Sequence, residues 1–131
     1  LEGFWWQDGV DGADYSDKSS FHWISVIRLP DFVEEIDFEW AKETAAKKKK
    51  LDCSSAEFFT VDEGLCVQIM HIGPFDDEPA TVALMDAYLD ENGYVNDITD
   101  KRLHHEIYLS DANKVAPEKR KTVIRHPIRK V

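Results

Sequence analysis

The sequence predicts an α+β domain, and three observations lead there. Apolar or β-branched runs at 1–6, 23–29, 65–72, 105–109 and 122–128 read as strands. Two stretches with helical spacing, after Asp31 and after Asp77, read as helices. After residue 55 the order is strand, helix, strand, strand, with 56–61 as a short lead-in strand. The two strands before residue 30 lack the strand and helix that would complete a matching unit. The chain therefore reads as one whole β-α-β-β unit preceded by the back half of another.

The elements follow from local chemistry. In 1–6 (LEGFWW), Phe4 and Trp6 face one way and Trp5 the other, because side chains alternate along a strand. Residues 7–20 are rich in Asp, Gly and Ser and form a long connection. WISVIRL at 23–29 is β-branched and apolar until Pro30 stops it. Asp31 is placed to cap a helix starting near Phe32, with Val33, Ile36, Trp40 and Ala41 on one face. That helix ends in four lysines, which complement its dipole. LCVQIMHI at 65–72 is the longest apolar run and is expected at the centre of the sheet. Gly73-Pro74 ends it. Asp77 is placed to cap the next helix, with Pro79 in its first turn and Leu84, Met85, Tyr88 and Leu89 as its apolar stripe. Gly93 suits the left-handed position that closes it. Tyr94–Lys101 reads as a polar connection, and Pro127 places the last strand at an edge.

The bulk numbers narrow the function. The chain has 131 residues, 43% of them hydrophobic, which suits a single domain with a real core. Its formal net charge of −10 opposes contact with nucleic-acid phosphate or an anionic membrane and favours cationic partners. Against that charge, the lysine run is a helix end rather than a nucleic-acid patch. Cys53 and Cys66 show no zinc spacing and read as free thiols in a reducing cytoplasm. No apolar run is long enough to span a membrane, and no signal peptide is visible. The start at Leu1 suggests a truncated or processed chain.

One carboxylate stands out. Glu106 lies in the strand 105–109 and shares a face with Tyr108, while Ile107 and Leu109 share the other. If helices cover Ile107 and Leu109, Glu106 and Tyr108 line the opposite face. An acid beside an aromatic is a plausible ligand floor; the same alternation also describes an ordinary solvated face. His71 shares a face with Val67 and Ile69 and reads as a core histidine. His104 and His105 are adjacent and so point to opposite faces, poor geometry for a shared metal. Asp76, Asp77 and Glu78 read as a helix-capping cluster.

Four blocks, EGFWW at 2–6, IRLPDFV at 27–33, EGLCVQIMHIGPFDDEPATV at 63–82 and HHEIYLSDANKVAPEKRKTVIRHPI at 104–128, resemble the GyrI-like small-molecule-binding domain family. The resemblance implies a curved antiparallel sheet with helices on one face, built from two β-α-β-β units around a ligand cleft. Residues 1–131 would then be one such domain: 1–50 the back half of the first unit with a connecting helix, 56–131 the complete second unit. Departures are Ala112 and Asn113 where relatives usually carry Pro and Arg, and Phe75 where Tyr is common. The incomplete first unit implies uncovered apolar surface, hence a homodimer.

The resemblance places the family's pocket carboxylate at Glu106 and implies binding of small, aromatic and often cationic compounds. Glu106, Tyr108, Trp5, Trp6, Phe75 and His71 are the candidate ligand-binding residues, since aromatic faces and a carboxylate both attract a cation. An alternative is hydrolysis of cyclopropane-containing DNA-alkylating compounds, with Glu106 as base and Tyr108 or His71 steadying the oxyanion. A third is a protein-interaction module acting on gyrase or another topoisomerase. No metal and no cofactor are expected.

Overall fold

The computed structural model describes residues 1–10 and 14–131, so part of the loop expected at 7–20 lies outside the described residues. The chain divides into two compact units, Leu1–Ile27 with Glu63–Val131, and Arg28–Asp62.

In the larger unit the described residues form six strands: β1 (Glu2–Gln7), β2 (Phe21–Val26), β3 (Cys66–Ile72), β4 (Tyr94–Asn96), β5 (His104–Tyr108) and β6 (Lys121–Lys130). All their pairings are antiparallel, in the order β2-β1-β5-β6-β3, and β4 pairs with the far end of β6. One helix, α2 (Glu78–Asn92), lies between β3 and β4 in sequence. The fold is α+β, as the strand and helix patterns predict.

Register decides which side chains meet. Gly3 lies opposite Glu106 and Trp5 opposite His104; across β5, Glu106 faces Ile124 and Tyr108 faces Thr122. Continuing outward, Ile69 and His71 of β3 face Ile124 and Thr122. These residues share one face. Helix α2 docks on that same face, where Nδ1 of His71 meets Oγ1 of Thr81 at 2.7 Å. The Glu106 face, rather than the face of Ile107 and Leu109, is therefore the helix-covered one. Met85 and Leu89 of α2 and Ile124 and Ile128 of β6 are buried.

The opposite face is tied by charge. Glu63 Oε1 lies 2.8 Å from Nδ1 of His105, and its Oε2 accepts from Arg125 Nη1 at 2.7 Å. Phe4 stacks on the His105 ring at 4.3 Å. Arg102 donates to the backbone oxygens of Glu63 and Leu65, which ties the approach to β3 to the segment before β5.

Several expectations are corrected. The strand at 65–72 is an edge of the sheet, and β6 is interior despite Pro127. Proline lacks an N–H, yet it fits because it falls where β6 changes partner. Pairing with β5 ends at Arg125 and pairing with β4 begins at Ile128. Residues 94–96 form a strand rather than an irregular connection, whereas 56–61 form none. Asp77 makes no side-chain cap bond on α2. Gly93 closes α2 at φ 72°, the left-handed conformation expected there.

The smaller unit holds α1 (Glu35–Lys49). Its cap is Glu34, three residues later than Asp31, and Asp37 Oδ2 accepts the Glu34 N–H at 2.9 Å. Asp31 instead accepts from Arg28. The following segment folds back on the helix, because Phe58 packs against Phe38 at 5.6 Å and Lys42 donates to the Ala56 carbonyl. Phe58 thus spends its apolar surface on a helix rather than in a strand.

Candidate functional site

A cleft of about 2370 Å³ opens on the Glu106 face of the larger unit, between the sheet and the first half of α2. Trp5, Tyr15, Phe21, Trp23, Phe75 and Tyr108 supply its aromatic lining. Trp5 stacks on Trp23 at 5.5 Å and meets Phe21 edge-on at 6.1 Å, a cross-strand arrangement that follows from the β1–β2 register. Tyr15 enters from the loop. That loop is held by Gln7, whose amide nitrogen donates to the Asp14 carbonyl at 2.9 Å and to Ser20 Oγ at 2.7 Å.

At the floor, Glu106 is 8% exposed and accepts on both oxygens. Tyr108 donates its hydroxyl to Oε2 at 2.6 Å, and Trp5 Nε1 donates to that hydroxyl at 2.8 Å. On the other side, His104 Nε2 lies 2.8 Å from Oε1, and His104 Nδ1 lies 2.7 Å from His126 Nε2. Asn96 Nδ2 reaches His126 Nδ1 at 3.2 Å.

The direction of this chain is fixed at its far end. Asn96 Oδ1 already accepts the Ile98 N–H at 2.9 Å, so its NH2 faces His126. His126 Nδ1 must then accept, its Nε2 carries the hydrogen, and His104 receives at Nδ1 and donates from Nε2. Every donor points at Glu106.

A second carboxyl shares the floor. Glu78, at the start of α2, is 2% exposed and hydrogen-bonded to Glu106, while among the described residues its buried Oε1 has no partner. Burial, then the Glu106 charge and the bond to it, push the Glu78 carboxyl up to about 9. Glu106 goes the other way. Burial alone would raise it, but the hydrogen bonds from His104, Tyr108 and Glu78 outweigh that and hold it below the usual value. Two touching buried carboxyls cannot both be charged at little cost, and here the proton stays on Glu78. Burial is the first cause that pushes His126 down, to about 3. Tyr15 and Tyr108 are pushed far up, first by burial and then by the carboxylates.

Of the sequence-predicted residues, the structure brings Glu106, Tyr108, Trp5 and Phe75 together in the cleft. Phe75 meets Tyr108 edge-on, with the Arg120 guanidinium 5.3 Å above its ring. Trp6 also borders the cleft and stacks on His22. His71 does not line it; its ring nitrogens are taken by Thr81 Oγ1 and the Pro74 carbonyl. Glu78, His104, His126, Tyr15 and Gly3 are site residues that the sequence reading missed. Glu78 follows two other acids at a helix start, where capping is the expected role, but its side chain turns into the cleft. Among the described residues no cluster of His, Cys, Asp and Glu is arranged to hold a metal ion.

The profile of the GyrI-like small molecule binding domain matches residues 3–129. Three crystal structures from Listeria innocua share the fold. An uncharacterized conserved protein is 47% identical at a TM-score of 0.89, covering 98% of this chain and 62% of that one. A hydrolase is 45% identical at a TM-score of 0.86, covering 98% and 61%. Another hydrolase is 46% identical at 0.86, covering 98% and 62%. This chain therefore spans about three-fifths of the length of those proteins. No curated protein matches it.

Two outcomes follow from the packing. A Cβ on Gly3 would sit 2.8 Å from Trp5 Nε1 and 3.3 Å from the Tyr108 hydroxyl. Gly3→Ala is expected to cost ~1–3 kcal/mol in urea unfolding and to displace the Trp5–Tyr108 bond. The second concerns pH. Between the ordinary carboxyl value of 4.5 and about 9, the unfolded chain gives up the Glu78 proton while the folded chain keeps it. The folded state thus binds more protons, so this stability is full below 4.5 and is lost as pH rises towards 9. Glu78→Gln removes that loss, and its melting temperature should exceed wild type by ~5 °C or more at pH 8.5 and match it near pH 4.5.

Proposed function

The chain belongs to the GyrI-like small molecule binding domain family, and from that premise we propose that its cleft captures planar aromatic cations. The carrying observation is an ionised, buried carboxylate set among aromatic rings. Glu106 supplies a negative charge in a poorly solvated place, where Coulomb attraction is stronger than in water. Trp5, Trp23, Tyr15 and Tyr108 supply flat apolar area and ring faces. Asp76, Asp86, Asp100 and Asp111 also border the cleft and draw cations towards it.

A second reading draws on the opposed carboxyls. Glu106 held ionised and Glu78 held protonated form a base and an acid at one place. That division suits hydrolysis of a cyclopropane conjugated to a dienone. Water adds to a ring carbon as a ring C–C bond breaks, and the water's proton passes to Glu106. The electron pair runs into the dienone, whose oxygen takes the proton of Glu78. One proton again resides on the pair, and the net change is addition of water. The Listeria innocua hydrolases support placing this reading beside the first.

The two readings have separate tests. In fluorescence titrations, 10-methylacridinium should bind at least about tenfold tighter than neutral 10-methylacridone, ~1.4 kcal/mol. Glu106→Gln should erase the difference; an equal preference in the variant removes Glu106 from the site. For hydrolysis, incubation with a cyclopropane-containing alkylator should give a product heavier by one water. Glu106→Gln and Glu78→Gln should each slow its formation ~100-fold. Unchanged starting material over hours with wild type rejects the second reading.

A further inference from the structure

Capture of a cation is coupled to the release of a proton: we propose that Glu78 is the second anionic group of the cleft, masked by a proton until a cationic guest displaces it. The proposal rests on the reading that the cleft binds cations.

The geometry carries it. Glu78 and Glu106 come from different elements, the start of α2 and the middle of β5, yet their carboxyls meet in one buried place. Glu106 has donors on both oxygens from groups that keep their hydrogens, the Tyr108 hydroxyl and the His104 ring. Glu78 has Glu106 as its hydrogen-bond neighbour, and its Oε1 is an orphan. Among the described residues no cation pairs with Glu78 while the cleft holds no guest. Lys18 pairs with Asp76, and Arg120 lies over Phe75 and donates from Nη2 to the Ala112 carbonyl, its Nε making no hydrogen bond. A buried carboxyl so placed keeps its proton. A fixed positive charge entering beside it reverses the balance, and the proton leaves to solvent.

Other titratable groups also face the pair. Tyr15 and Tyr108 are pushed far up by burial and have no reason to ionise near neutrality. His126 is pushed down to about 3 and has no proton to give. Asp76 is already paired with Lys18. Asp86 is raised by burial and by Asp90, and it lies a further two turns along α2. His104 has its one ring hydrogen on Nε2, in the bond to Glu106. A glutamine at position 78 removes the Glu78 proton and leaves all of these groups in place. The consequence for selectivity is that the cleft shows one negative charge to a neutral guest and two to a cation. Affinity for cations therefore rises with pH, whereas affinity for neutral aromatics does not.

The test is calorimetric titration of the 131-residue chain with 10-methylacridinium at pH 7.5, in two buffers of different ionisation enthalpy. About one proton should be released per cation bound, and the association constant should rise by up to tenfold per pH unit between pH 6 and 8. Binding of 10-methylacridone should release none. Glu78→Gln should bind the cation without proton release and without the pH slope. Should that variant fail to fold, Glu78→Leu, which likewise has no proton to release, takes its place in the same titrations. Tight cation binding with no proton released overturns this inference and leaves the binding function standing. Proton release that persists in Glu78→Gln comes from another group and overturns it as well. If the cation gains nothing over 10-methylacridone, the binding reading falls and this inference with it.

Discussion

A charged carboxylate placed in the interior of a sheet imposes its needs on everything near it. Leaving such a group without partners costs several kcal/mol, and each hydrogen bond to the charged form returns roughly 1.5–3 kcal/mol. Glu106 meets that need with donors from its own strand two residues away on either side, His104 and Tyr108. Each of these must in turn be oriented. Tyr108 is oriented by Trp5 across β1, and His104 by His126 across β6. The demand of one side chain thus selects residues on three strands. Gly3 belongs to the same set, since only a residue without Cβ leaves room for the Trp5–Tyr108 bond beside Glu106.

The division of labour between the carboxyls comes from their surroundings and not from their chemistry. Glu106 is rich in donors and stays ionised; Glu78 has an acid for a neighbour and an orphan oxygen, and keeps its proton. The aromatic wall contributes a low-dielectric boundary that sharpens the difference. Gln7 has a supporting part in this. By holding Asp14 and Ser20 it sets the loop that carries Tyr15 into the cleft. A single amide therefore does for the loop what the β1–β2 register does for Trp5 and Trp23.

Much of the fold is legible locally. Alternation locates the strands, and Pro79 with Gly93 brackets α2 closely. What escaped is pairing, which no single stretch encodes. LCVQIMHI has the composition of an interior strand yet has β6 on one side only, and β6 is interior although Pro127 speaks against it. Both outcomes depend on partners far along the chain. In the site, the same distinction holds. Glu106 with Tyr108 is visible because they are two residues apart on one strand. His104 and His126 are 22 residues apart, and only the β5–β6 register brings them together. Glu78 was hidden by its neighbours: in an acidic triplet at a helix start, composition is uniform and only side-chain direction differs. Asp76 turns to Lys18, and Glu78 turns inward.

The tautomers of two imidazoles are set by one amide at the rim. Replace the Asn96 NH2 by an oxygen, as aspartate would, and His126 Nδ1 loses its donor and gains an acceptor. That ring would then move its hydrogen to Nδ1, His104 would do the same, and His104 Nε2 would turn a bare lone pair towards Glu106 Oε1. A change of one atom group at position 96 would thus be felt at the carboxylate three links away, as the loss of one of its two donors. The floor of the cleft is therefore open to adjustment from a residue that a guest there need never touch.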